Sequence, residues 1–131
     1  MAACDDSGSN TAPKTLVITG VSNEQYTQGV GGPSKIGIFP SGTSNDDALS
    51  WTGLVAGALN VSMTGSGNNY TLTAQLQKAG NSGPWTGSGT YDVCLELSKD
   101  EGDTYYRKNG VSFTSATTTI GNASTYTPIT P

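Results

Sequence analysis

Apolar and polar residues alternate with a period of two in two segments of this chain. Tyr70, Leu72, Ala74 and Leu76 fall on one side of an extended backbone and Thr71, Thr73, Gln75 and Gln77 on the other. Tyr91, Val93, Leu95 and Leu97 alternate in the same way with Asp92, Cys94 and Glu96. Successive side chains of a strand point to opposite faces, so the pattern predicts two strands, each with a buried and a wet face, as antiparallel sheets have. Shorter runs extend the picture. Residues 14–21 hold Leu16-Val17-Ile18 and close on Gly20, which predicts a first strand. Residues 23–34 carry three Gly and a Pro and read as a loop. Residues 35–39 read as a second strand, stopped at Pro40 because proline cannot donate to a ladder. Residues 41–47 form a polar loop, and short strands are expected over 48–54, around Trp51, and over 58–64.

Turn signals punctuate these runs. Thr64-Gly65-Ser66-Gly67 precedes the first alternating strand and Thr86-Gly87-Ser88-Gly89 the second, a near repeat offset by 22 residues. Residues 99–103 form an acidic turn. Asn109-Gly110 then predicts a tight type I′ hairpin between strands at 104–108 and 111–113, since this dipeptide tolerates positive φ at both central positions. A last strand rich in β-branched Thr is expected over 117–120, followed by an extended tail. About seven to nine short strands with turns every 8 to 12 residues predict an all-β fold, an antiparallel β-sandwich of immunoglobulin-like or related Greek-key type.

Composition agrees and narrows the chemistry. A length of 131 residues leaves room for one domain only, and 18 Gly, 15 Ser and 19 Thr fill 52 of those positions with poor helix formers. The chain has no His and only two Cys, which removes Ser-His-Asp and Cys-His nucleophilic machinery and four-cysteine metal sites. We therefore expect a non-catalytic protein without a cofactor. The formal charge of −4, with six scattered cations, argues against a nucleic-acid partner. No stretch approaches the roughly 20 apolar residues that a membrane-spanning helix needs.

The amino terminus is of another kind. Met1-Ala2-Ala3-Cys4 is followed by the polar tract Asp5-Asp6-Ser7-Gly8-Ser9-Asn10. Small residues before a Cys that opens a flexible tract resemble the processing site of bacterial lipoproteins. The resemblance implies that Cys4 carries lipid, that residues 1–13 are a tether to a membrane, and that residues 14–131 are a single sandwich domain in the bacterial cell envelope. Asp5 and Asp6 are similar to lipoprotein sorting signals. In pattern, residues 14–127 resemble the immunoglobulin-like and related sandwich modules of envelope lipoproteins, although the antibody arrangement of paired Cys around a buried Trp is missing.

Candidate chemistry is sparse. Cys94 alternates with Asp92 and Glu96 on the polar face, where neighbouring carboxylates disfavour a thiolate, so it is expected to be an inert thiol covered by a loop or the second sheet. Asp100, Glu101 and Asp103 around Gly102 offer hard oxygens for calcium, as does Asn45-Asp46-Asp47, although turn-forming residues explain both clusters without metal. Trp51, Trp85, Tyr105 and Tyr106 are candidate contacts to a glycan or protein partner. Consecutive Tyr105 and Tyr106 on a strand must point to opposite faces, which predicts one exposed ring. Asn60, Asn69 and Asn122 lie in glycosylation sequons that a bacterial lipoprotein would not use.

Overall fold

The two alternating segments become interior strands of two different sheets. A computed structural model describes residues 13–29, 34–58, 61–80, 82–100 and 102–130. Among the described residues the strands are β1 (Thr15–Val21), β2 (Lys35–Pro40), β3 (Ala56–Ala58), β4 (Ser62–Ser66), β5 (Asn69–Gln75), β6 (Gln77–Lys78), β7 (Gly89–Leu97), β8 (Thr104–Phe113), β9 (Thr117–Ile120) and β10 (Thr127–Ile129). One sheet has the order β4-β5-β1-β9 and the other β10-β8-β7-β2-β3-β6. The fold is an all-β sandwich. Every pairing of these strands is antiparallel except β1 with β9, which run parallel from Thr15↔Thr117 to Ile18↔Ile120. The count exceeds the expected seven to nine because β3, β6 and β10 are only two or three residues long.

The inward positions predicted from the alternation form the core between the sheets. Leu16, Ile18, Leu72 and Ala74 face Ile36, Ile38, Val93, Leu95 and Leu97, with Trp85, Val111 and Phe113 closing one end. Burying each large side chain contributes about 1.5–3 kcal/mol before the entropy cost of ordering it. Buried Gln25 ties the loop after β1 to this core. Its Oε1 accepts from the Ser22 backbone N–H at 2.9 Å and its Nε2 donates to the Ala123 carbonyl at 2.8 Å.

Four sequence expectations are corrected. First, residues 48–54 are not a strand. Ser44 accepts the Asp47 N–H at 3.1 Å and caps a short helix, α1 (Asn45–Leu49), with Asp46 and Asp47 in the first turn, where the helix dipole favours anions. Second, the run read as one strand over 58–64 supplies the ends of β3 and β4, which belong to different sheets.

Third, Asn109-Gly110 makes no hairpin. β8 runs through it for ten residues, and the register moves from Tyr91↔Val111 to Val93↔Lys108, so two residues of β8 oppose Asp92 alone. The positive φ that favours this dipeptide in a turn is used at Gly110 (φ 70°) to form a β-bulge. Fourth, the two Thr-Gly-Ser-Gly segments do different work. Gly67 opens a two-residue hairpin loop closed by Ser66↔Asn69, whereas Gly87 supplies space for the Trp85 ring, which a side chain there would strike.

Candidate functional site

Charge separates the two sheets. β1, β4, β5 and β9 contain no Asp, Glu, Lys or Arg, while Lys35, Lys78, Asp92, Glu96, Arg107 and Lys108 all lie on strands of the six-stranded sheet. The outer face of that sheet, expected to be wet, is covered. Phe39, Cys94, Ala48 and Ile129 form a second small core there, joined by half-buried Leu49, Trp51, Leu54 and Tyr105. The cover is the segment 41–54, and Ile129 from the edge strand β10 of the same sheet packs into the small core beneath it.

One buried ion pair fastens this cover. Arg107 donates from Nη2 to Asp92 Oδ2 at 2.8 Å, and the two side chains are 9% and 4% exposed. Arg107 also donates from Nη1 to Asn45 Oδ1 at 2.8 Å, from Nε to Asn109 Oδ1 at 2.6 Å, and from Nη2 to the Thr43 carbonyl. Asp92 accepts in addition the backbone N–H groups of Gly42 at 2.9 Å and of the bulge residue Gly110 at 3.1 Å. Burial pushes the Asp92 carboxyl up, but the Arg107 hydrogen bond, the two backbone donors and the Arg107 charge outweigh it and hold the group below its ordinary value. The network joins β7, β8, the bulge and α1.

What the cover positions is Trp51. This residue follows α1 with φ 61°, a left-handed conformation rare for a bulky side chain. Its ring lies over Gly37 of β2, where any Cβ would collide with it, and beside Phe39 with ring centroids 5.9 Å apart. A groove of about 250 Å³ opens next to the partly buried Trp51, lined by Lys35, Ile36, Trp51, Leu54, Gly57, Ala58, Lys78, Ala79 and Gly80. Gly57 packs against the Ile36 carbonyl and leaves the floor without a side chain. Lys35 Nζ lies 3.9 Å from Glu96 Oε2, in ion-pair range but beyond a hydrogen bond. Burial raises the Glu96 carboxyl, as does a hydrogen bond with Asp103.

The other candidates are placed as follows. Trp85 is not a contact residue. It is 6% exposed and packs edge-on against Tyr91 at 5.2 Å and Phe113 at 5.3 Å, inside the main core. Tyr105 and Tyr106 do face opposite sides, but neither ring is fully exposed: Tyr106 packs on the main core and Tyr105 on the outer one. Both line a shallow hollow of about 220 Å³ with Pro128 and Ile129. Asp103 sits at its rim. Among the described residues no three acidic, His or Cys side chains gather as metal ligands. Glu101, Cys4 and the Asn60 sequon lie outside the described residues, whereas Asn69 and Asn122 are exposed.

Cys94 is buried on the outer face, as a covered thiol should be, with its pKa pushed up to about 11 by burial and by Asp92, against the opposing pull of Arg107. In a Cys4→Ser variant we expect no thiol to react with an aromatic disulfide reagent at pH 8 in the native state and one to react after unfolding in urea; fast native-state reaction would contradict the burial.

The sequence reading missed Lys35, Leu54, Gly57 and Lys78 as groove residues. The signal that could have found the place is Gly37, alone inside a strand pattern, which marks a close approach by another group. Comparison of the chain with protein-family models, with curated proteins and with solved structures gives no match.

Proposed function

We propose that this chain is a lipid-anchored protein of the bacterial cell envelope, held at the membrane through Cys4, whose sandwich is a non-catalytic binding module of immunoglobulin-like or related Greek-key kind. The ligand sits in the groove beside Trp51, and a glycan fits it best. The observation that carries the reading is the seat of Trp51: a bulky, partly buried residue in a left-handed conformation, its ring laid on Gly37 and lining an open groove. Backbone strain of this kind is kept where surrounding structure enforces it and tends to accompany function. An indole supplies a large, rigid apolar face at low entropy cost, which suits the apolar face of a sugar ring. The lack of His in the chain supports binding over acid-base turnover.

Two measurements test the parts separately. Mass spectrometry of the full-length protein purified from its own host should find an acylated Cys4; an unmodified Cys4 contradicts the anchor. In native gels cast with a soluble polysaccharide, either hydroxyethylcellulose or polygalacturonate, the protein should be retarded by at least one, and Trp51→Ala should lose that retardation, an affinity drop of about tenfold or more for a buried aromatic contact. Equal retardation of both proteins contradicts the site.

A further inference from the structure

Resting on the reading that a glycan occupies the groove, we infer that its ligand is an acidic saccharide, with a carboxylate held between Lys35 and Lys78 and a ring laid against Trp51.

The charge on the walls comes first. Two of the six cations in the chain line this one groove, and no lining residue is acidic, although the whole chain carries a formal charge of −4. A negatively charged protein repels anions in general, so an anion retained here must be held by local charge. The Lys78 ammonium forms no ion pair among the described residues, and Lys35 meets Glu96 at a distance too long for a hydrogen bond, so both ammonium groups keep donors for an incoming carboxylate. A neutral sugar would leave the Lys78 ammonium at the groove without a counter-charge among the described residues.

Size and wall chemistry fix the rest of the ligand class. About 250 Å³ lies below the roughly 300–1,000 Å³ of sites that enclose a drug-sized molecule, so the groove takes one ring of a chain that continues over the surface. Its apolar wall, chiefly Ile36, Trp51, Leu54, Ala58 and Ala79, surrounds only about 250 Å³, too little to bury an acyl chain. Two lysines do not make the clustered track of cations that a nucleic-acid backbone requires. A sugar acid satisfies both walls at once: its C–H face on the indole, its carboxylate on the ammonium groups.

Native gels with polygalacturonate, hydroxyethylcellulose and polyglutamate test this, using the wild-type protein, the Lys35→Gln/Lys78→Gln double variant, Trp51→Ala and, as a control of equal charge change per site, Lys108→Gln, which lies outside the groove lining. Polygalacturonate should retard the wild type and the Lys108→Gln control more than the other two polymers do. Each groove variant should lose at least about tenfold in affinity, through lost charge-assisted contacts in the lysine variant and a lost aromatic contact in Trp51→Ala. Equal retardation by hydroxyethylcellulose, lost in Trp51→Ala but kept in the double variant, would overturn the acidic class and leave the binding module standing. Equal retardation by polyglutamate, unaffected by Trp51→Ala, would overturn the saccharide. No retardation by any of the polymers would overturn both.

Discussion

Arg107→Leu is expected to destabilise the sandwich by about 3–5 kcal/mol in urea unfolding at pH 7, because it leaves the Asp92 carboxylate buried without its cation. The pair itself contributes little net energy over an apolar replacement; the cost comes from stranding one charge. Adding Asp92→Asn to Arg107→Leu should therefore recover part of the loss, a non-additivity that a surface ion pair would not show. The pH dependence has a definite sign. Asp92 has a depressed pKa, so its contribution is present above the ordinary carboxylate value, near pH 4, and disappears as pH falls through the lower native value. In Arg107→Leu burial still pushes the carboxyl up while the guanidinium is gone, and protonation removes the stranded charge, so the stability gap to the wild type should narrow as pH falls. Because Arg107 also holds Asn45 and Thr43, the variant should loosen the segment that seats Trp51, seen as a red-shifted emission before global unfolding.

Trp85→Ala should cost as much by a different route, about 3–5 kcal/mol, as expected when a large aromatic leaves a core that cannot collapse around the gap. Its ring closes the end of the core against Tyr91 and Phe113, and its backbone links the sheets: the Trp85 N–H donates to the Leu76 carbonyl at 2.9 Å and its own carbonyl accepts the Lys14 N–H at 2.9 Å. Chemical denaturation measures the loss. At temperatures where the variant remains folded, retardation by polygalacturonate should be unchanged. A variant that keeps its stability but loses retardation would exchange the roles assigned to the two tryptophans.

The alternation of apolar and hydroxylated residues was enough to read the class of the fold, since period two over 70–77 and 91–97 has no helical solution and an inward set that includes Leu72, Leu76, Val93, Leu95 and Leu97 must be buried. Local signals read in isolation gave the errors. Asn109-Gly110 was read as a turn because positive φ serves hairpin and bulge alike; what selects the bulge is Asp92 on the facing strand, which accepts the Gly110 N–H. Ser44 and the two aspartates after it signal a helix start, a signal that the apolar residues around Trp51 obscure. Asp92 and Glu96 mark the outer face of β7 as polar, and the cover expected over Cys94 is a segment about fifty residues earlier in the chain, which nothing near Cys94 in sequence identifies. Nothing near Asp92 in sequence announces Arg107 as its partner. The two tryptophans look alike in the sequence, and only the crossing of residue 85 between the sheets makes one core and the other a groove wall.

The most direct test of the account is a ¹H–¹⁵N NMR titration of the protein with a soluble galacturonate oligosaccharide. We predict that the Trp51 indole N–H and the amides of Lys35, Gly57 and Lys78 shift in a saturable way, while the indole of Trp85 and the strands of the charge-free sheet stay in place. Shifts gathered on β1, β4, β5 and β9 or around Tyr105 and Pro128, with Trp51 unmoved, would contradict it.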